Sequence, residues 1–369
     1  MTMSQPAPVR VLVVDDSAFM RKALSSMLAS EPRLTVIGTA RNGEEAIHKV
    51  AELKPDVVTL DVEMPGMGGL EALKQIMAQH PVPVVMVSSL TEDGARETLA
   101  ALELGAVDYV PKHLNGLVTR ITGIQEELIA KVLAAAGAAG KLRRRMPVPT
   151  SPRDGRPMAG RAAVPAAAQS LTATTVAATR GSRVVAIGCS TGGPQALQTI
   201  LPQLPADFPA GIVMVQHMPK CFTKPFAERL NELCQITVRE AQDGEVVEPG
   251  VALLAPGGVH LTVVRRRPTV VETALVPDTF GLLHVPSVDV LMRSVAEVYG
   301  ERAVGVVLTG MGHDGLEGMR AIKAAKGRTV AQDEASCIVY GMPRAVIEQG
   351  YADKVVPLDR LAGELINMV

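Results

Sequence analysis

The stretch Arg183-Val184-Val185-Ala186-Ile187-Gly188-Cys189-Ser190-Thr191-Gly192-Gly193 runs from an apolar strand into a glycine-rich turn, and a helix-like segment, Pro194–Leu201, follows it. Two later stretches repeat the arrangement, GIVMVQH at Gly211–His217 and AVGVVLTGMGHDG at Ala303–Gly315. Fully buried parallel strands read as short continuous apolar runs, because helices cover both faces of such a sheet. The carboxyl ends of those strands line one crevice, so Ser190, His217 and Asp314 are expected at one edge although far apart in sequence. A serine, a histidine and an aspartate together make a nucleophile, its base and the acid that orients the base. With the further runs VALLAPGG, HLTVV and RTVAQD, and helical spacing over Thr223–Leu233, Val288–Tyr299 and Gly315–Ala325, residues 182–369 are expected to form a doubly wound, mostly parallel α/β hydrolytic domain.

Each motif has a plainer reading. Gly188–Gly192 fits G-x-S-x-G, where small neighbours allow a tight strand-to-helix turn that exposes the serine. The same glycines would equally cradle a phosphate on helix N-terminal amides, although the lysine of a P-loop is missing. His217 ends a buried strand, where a site residue is more natural than a core histidine. Asp314 alone reads equally well as a cap for the helix that follows it. Cys189 is a rival nucleophile and His313 a rival base, but neighbouring side chains around a turn diverge. The chain order Ser, His, Asp differs from the Ser, Asp, His order of the α/β-hydrolases, so that fold is not implied.

Upstream, the pattern dissolves between about residues 130 and 181 into alanine, proline, arginine, threonine and serine. Residues 128–181 are read as a flexible linker, with a helix tail at Leu128–Ala136. Before it, VRVLVVDD, LTVIGTA, DVVTLD, PVVMVSS and AVDYVPK alternate with helix-like segments. They predict a five-stranded parallel, flavodoxin-like domain over 8–127. Asp15 and Asp16 end its first strand, Asp61 the third, Ser88 and Ser89 the fourth, and Lys112 follows the fifth. Carboxylates gathered at one edge repel one another, and a hard cation such as Mg²⁺ relieves that repulsion while leaving room for phosphate oxygens. Asp61 is then a nucleophile toward phosphate, with a lysine and a hydroxyl holding the remaining oxygens.

At 369 residues the chain is long enough for two domains. It is 47% hydrophobic, yet no run of about 20 apolar residues or signal-peptide core occurs, so a cytoplasmic protein without membrane insertion is expected. The net charge of −1 gives no general reason to bind nucleic acid, and 2% aromatic content without tryptophan offers no stacking platform for single strands. Arg143–Arg145 is a basic cluster whose plain reading is a solvated charge run. The four cysteines make no C-x-x-C pair, so neither zinc nor a disulfide framework is indicated.

VLVVDDS, DVEMPGMGG, MVSS and VPK, in this order and spacing, resemble the response-regulator receiver family. The resemblance implies Asp61 as phosphoacceptor, Asp15 and Asp16 as metal-binding acids, and Glu63 as donor of a backbone carbonyl to the metal. It further implies Ser88 as the hydroxyl switch, Tyr109 as the switch aromatic and Lys112 as the phosphate-binding lysine. Where that family usually has proline after the lysine, this chain has His113. IGCSTGGPQAL, VQHMPKCFTKPFAERLN, APGGVHL, PSVDVLMRSVA, LTGMGHDGLEGM and AQDEASCIVYGMPRAV resemble the catalytic domain of the chemotaxis response-regulator protein-glutamate methylesterases across Arg183–Val369. That implies Ser190, His217 and Asp314 as the triad, with the Met311 amide and the neighbourhood of Thr191 serving the oxyanion. The implied substrates are methyl-accepting chemoreceptors, the implied phosphodonor a histidine kinase, and the implied state a monomer that needs no cofactor for ester hydrolysis. A phosphorylation-switched binding module and an esterase for small molecules are the competing readings. A transcriptional regulator lacks its helix-turn-helix.

Overall fold

The computed structural model describes residues 7–112, 118–145, 183–279 and 281–369. The first part alternates β1 (Val9–Val14), α1 (Ala18–Ala29), β2 (Leu34–Ala40), α2 (Gly43–Leu53), β3 (Val57–Asp61), α3 (Gly69–Gln79), β4 (Val84–Ser88), α4 (Glu92–Glu103), β5 (Asp108–Pro111) and α5 (Val118–Arg145). Its five strands pair in the parallel order β2-β1-β3-β4-β5. Both faces of β3 and β4 are buried along their whole length, which is why the two strands are mostly apolar, with Asp61 and Ser88 at their carboxyl ends. Side-chain caps start α2 and α4. Asn42 accepts from the Glu45 amide at 2.9 Å and Thr91 from the Gly94 amide at 3.0 Å. The order reverses between β1 and β3, so Asp15, Asp16 and Asp61 stand at the topological switch point.

α5 runs straight through the boundary expected at residue 128. Leu128, Val132, Ala135 and Ala138 are buried, the first three of them with Val11, Val13, Val57 and Val85. Alanine is the best helix former, and one wide apolar stripe suffices to hold such a helix on the sheet. Residues 146–182 lie outside the described residues, as does His113, so the expectations for the rest of the linker and for the loop after Lys112 fall there.

The second part comprises β6 (Val184–Cys189), α6 (Gly193–Ile200), β7 (Gly211–Gln216), α7 (Lys220–Leu233), β8 (Thr237–Glu240), β9 (Val251–Leu254), β10 (His260–Arg267), β11 (Val270–Val276), α8 (Val288–Tyr299), β12 (Ala303–Val307), α9 (Leu316–Ala324), β13 (Arg328–Gln332), α10 (Met342–Glu348), β14 (Lys354–Val356) and α11 (Leu358–Met368). Seven strands form one sheet, β14-β13-β12-β6-β7-β9-β8, with every pairing parallel. β10 and β11 stand apart as an antiparallel hairpin whose tip carries Arg265 and Arg267. The switch point of the large sheet lies between β6 and β12. Ser190 follows the first and Thr309–Gly315 the second.

The two parts touch through the α4–β5–α5 side of the first. Tyr109 stacks on Phe222 of α7, with ring centroids 4.5 Å apart and an interplanar angle of 11°. Gln195 of α6 donates to the carbonyls of Leu102 (2.9 Å) and Ala106 (2.8 Å), which follow the last turn of α4 or close it. Arg229 makes a two-pronged pair with Glu103 at 2.6 and 3.0 Å, and Ile338 packs against the buried cluster that contains α5. Among the described residues no helix is long and apolar enough to cross a membrane.

Candidate active site

Three strand ends meet at the switch point. The Ser190 amide donates to Thr309 O at 3.1 Å, and the His217 amide to Cys189 O at 3.1 Å, which joins β6 to the loop after β12 and to the end of β7. Gln216, buried at the end of β7, donates its amide hydrogens to Ser190 O (3.1 Å) and His217 O (3.0 Å). One side chain thus fixes the backbone of two site residues. A Cβ on Gly310 would stand 2.9 Å from the Ser190 Cβ and 2.3 Å from Met342 Sδ, so only glycine lets the Gly310–Met311 backbone lie against the serine. Thr309 Oγ1 donates to Thr191 O at 2.9 Å, which holds the turn after the serine.

His217 Nε2 faces Asp314 Oδ2 at 2.8 Å, while its Nδ1 is buried and, among the described residues, has no hydrogen-bond partner. Among the described residues Asp314 accepts four bonds. Ser287 Oγ (2.9 Å) and the Asp289 amide (2.9 Å) reach Oδ1, and the Val288 amide (2.7 Å) joins His217 at Oδ2. These donors form the N-terminus of α8, so Asp314 caps α8, not the α9 that follows it in sequence. Asp289 returns the arrangement by accepting the amides of Gly315 (2.9 Å) and Gly318 (2.7 Å) at the start of α9. Burial alone would raise the Asp314 carboxyl, but the His217 hydrogen bond and charge, with the Asp289 and Val288 amides, outweigh it and hold the group at about 2. Asp289, with burial dominant, is raised.

A carboxyl lowered from 3.8 to about 2 contributes stability that is full above the unfolded value and lost as pH falls through about 2. The contribution is about 2 kcal/mol. Denaturant unfolding of wild type and Asp314→Ala at about pH 6 and about pH 2 reads it: the wild type is expected to lose about 2 kcal/mol more than the variant between the two.

The rival residues sit elsewhere. Cys189 is fully buried, its thiol points to Val215 O at 3.7 Å, and burial pushes its pKa far up. A thiol kept protonated in this way is no nucleophile. The His313 side chain is exposed. Sequence reasoning passed over Gln216, Ser287, Asp289 and His284, whose ring stacks on His217 with centroids 4.1 Å apart.

At the other switch point, oxygens of Asp15, Asp16 and Asp61 lie within 4.8 Å of one another. Lys112 Nζ reaches Asp61 at 2.6 Å and Asp15 at 3.0 Å. Burial is the largest influence on Asp61 and raises its carboxyl to about 6 against the pull of Lys112. Three hard oxygen donors facing one lysine leave an excess of negative charge, which fits a divalent cation. The Glu63 amide donates to Asp61 at 3.2 Å, while its carboxylate accepts from Ser89 Oγ at 2.7 Å. Ser88 is buried with its hydroxyl on Gly94 O, 3.2 Å away in the first turn of α4. Tyr109 is buried at the contact with α7, and Lys131 lies 4.9 Å above its ring.

The family model described as CheB methylesterase matches residues 185–365, and that for the response regulator receiver domain matches residues 11–122. The protein-glutamate methylesterase/protein-glutamine glutaminase 1 of Oleidesulfovibrio alaskensis is 49% identical over 379 residues, covering 98% of this chain and 99% of that one. The chain belongs to the protein-glutamate methylesterase/protein-glutamine glutaminase family. Another relative with that name, from Symbiobacterium thermophilum, is 47% identical over 98% of this chain and 97% of its own. The crystal structure of the Thermotoga maritima CheB methylesterase catalytic domain covers 51% of this chain and 99% of its own at 44% identity, with a TM-score of 0.50. Family membership makes the chain a chemotaxis esterase and deamidase with a receiver domain.

Proposed function

We propose that this chain hydrolyses glutamate γ-methyl esters on methyl-accepting chemoreceptors, releasing methanol, and deamidates selected receptor glutamines, with Ser190, His217 and Asp314 as its triad. The observation that carries this reading is His217, paired through Nε2 with Asp314 at 2.8 Å while its buried Nδ1, at the strand end next to Ser190, has no partner among the described residues. Asp314 accepts a hydrogen bond from the Nε2–H, so Nδ1 keeps the lone pair and is the nitrogen that removes the serine proton. Ser190 Oγ attacks the ester carbonyl, and the oxyanion faces the Met311 amide and the turn at Thr191. His217 then protonates the departing methoxide, or the departing amide nitrogen, which leave as methanol and ammonia. Water repeats the sequence to release glutamate. An ester and a primary amide pass through the same tetrahedral intermediate, which is why one site serves both.

Mass spectrometry of receptor peptides tests the substrate assignment. Incubation is expected to convert glutamyl methyl esters and certain glutamines to glutamate. Peptides unchanged by folded enzyme would favour the binding-module reading.

In the receiver, Asp61 is the phosphoacceptor, and Asp15, Asp16, Asp61 and the Glu63 carbonyl would hold Mg²⁺, which would supply charge to screen the attacking carboxylate from the phosphate oxygens. Lys112 pairs with the phosphoryl group, and Ser88 and Tyr109 carry the switch. The donor is a cognate histidine kinase. The enzyme acts in the cytoplasm as a monomer, without a nucleic-acid partner or an inserted segment, and ester hydrolysis needs no cofactor.

The gate is the contact of α4, β5 and α5 with α6, α7 and Ile338. Held there, the unphosphorylated receiver denies receptor helices the crevice, and a new group of charge near −2 on Asp61 displaces it. Arg229→Glu places like charges at Glu103 and is expected to raise the basal rate without phosphodonor about 3- to 10-fold. Adding Glu103→Arg to the same chain is expected to restore the low basal rate. An unaltered basal rate in Arg229→Glu would count against the gate.

A further inference from the structure

Among the described residues, hydrogen bonds hold the His217 ring at one edge only. The Asp314 bond fixes Nε2, and the backbone bond to Cys189 O fixes the main chain. A single edge contact leaves the plane of the imidazole free to tilt, and tilt swings the Nδ1 lone pair away from its target. What defines the plane is His284, whose ring lies on that of His217 with centroids 4.1 Å apart and an interplanar angle of 16°. His284 belongs to the connection between β11 and α8, three residues before Ser287, the N-cap of α8 that donates to Asp314. The same short segment therefore supports the acid from one side and the face of the base from another.

We propose that His284 is a positioning residue for His217: the stacked ring sets the plane of the base and covers the imidazolium that forms when His217 takes the serine proton. This rests on the triad reading given above.

Such a stack helps only if one of its two rings is charged at a time. Burial first, and the His217 charge second, hold His284 down to about 4. Asp314 and Glu127 act in the opposite direction and His313 in the same one, which completes the charged groups facing the ring from α5 and the loop before α9. Near neutral pH His284 is thus uncharged and offers a π face. His217, not His284, is the ring in direct contact with a carboxylate.

His284→Ala and His284→Phe separate stacking from other roles. The alanine variant is expected to lower kcat about tenfold or more with KM changed less than about twofold, because an interaction made in the transition state is lost. The phenylalanine variant keeps a ring of similar width and is expected to recover kcat to within about threefold of wild type. Histidine ring NMR of the wild type is expected to show His284 uncharged down to about pH 5, and a ring-current shift on His217 that His284→Phe keeps and His284→Ala loses. Three results would overturn the proposal: wild-type kcat in His284→Ala, a folded His284→Phe as impaired as the alanine variant, or His284 titrating near its ordinary value. Full activity in Ser190→Ala would instead sink the triad reading, and the NMR signature stands apart from that outcome.

Discussion

Ser190→Ala is expected to lower methanol release from methylated receptors by on the order of 10⁴-fold or more, leaving only what the oxyanion donors and binding provide. The fold does not depend on the hydroxyl. Ser190 is tied in through its main chain, by its amide to Thr309 O and by its carbonyl, which accepts from Gln216 Nε2 at 3.1 Å and from the Gly193 amide at 2.7 Å. Its melting temperature should stay within about 2 °C of wild type. A loss of rate with intact stability separates chemistry from unfolding. A variant that keeps a tenth of the wild-type rate would require another nucleophile, and the buried Cys189 thiol does not supply one.

Asp314→Asn is expected to be comparably damaging to the rate, by on the order of 10⁴-fold, and to weaken the fold as well. The carboxylate accepts from two donors on each oxygen, His217 and Val288 on one, Ser287 and Asp289 on the other. An asparagine offers one oxygen and turns an NH₂ group toward the other pair. Whichever way it points, two donors lose their acceptor. If the oxygen stays with Ser287 and Asp289, His217 loses the partner that fixes its tautomer. If it stays with His217, the start of α8 is left unsatisfied. The penalty is about 2–4 kcal/mol of stability, read by denaturant unfolding. The contrast with Ser190→Ala is the point, since one residue serves only the reaction and the other serves reaction and fold together.

The strand ends were legible in the sequence for a physical reason. Strands buried on both faces are mostly apolar, so charged and reactive residues stand out where the sheet stops, as at Ser190, His217, Asp15 and Asp61. Contacts to a carboxylate from a distant helix leave no such trace. Asp314 reads as a cap for α9, its neighbour in sequence, whereas it caps α8, and only the packing of the two helices makes the exchange with Asp289 possible. His284 and Ser287 lie in a short segment, Gly281–Ser287, whose composition reads as connection. Gln216 acts through two amide bonds to the backbone of Ser190 and His217, contacts that the pattern along one strand does not encode. The alanine-rich half of α5 carried too little hydrophobic weight to be read as packed, although small side chains let it sit close to the sheet. The Tyr109–Phe222 stack depends on how two independently folded surfaces fit, which periodicity along one chain does not encode.

The most direct test measures methanol released from methylated chemoreceptor membranes by wild type, Ser190→Ala and Asp61→Asn, each with and without Mg²⁺ and a small phosphodonor. The account predicts release that requires Ser190, rises on adding phosphodonor to wild type, and stays at the basal rate in Asp61→Asn. Release from Ser190→Ala at the wild-type rate, or equal stimulation of Asp61→Asn, would contradict it.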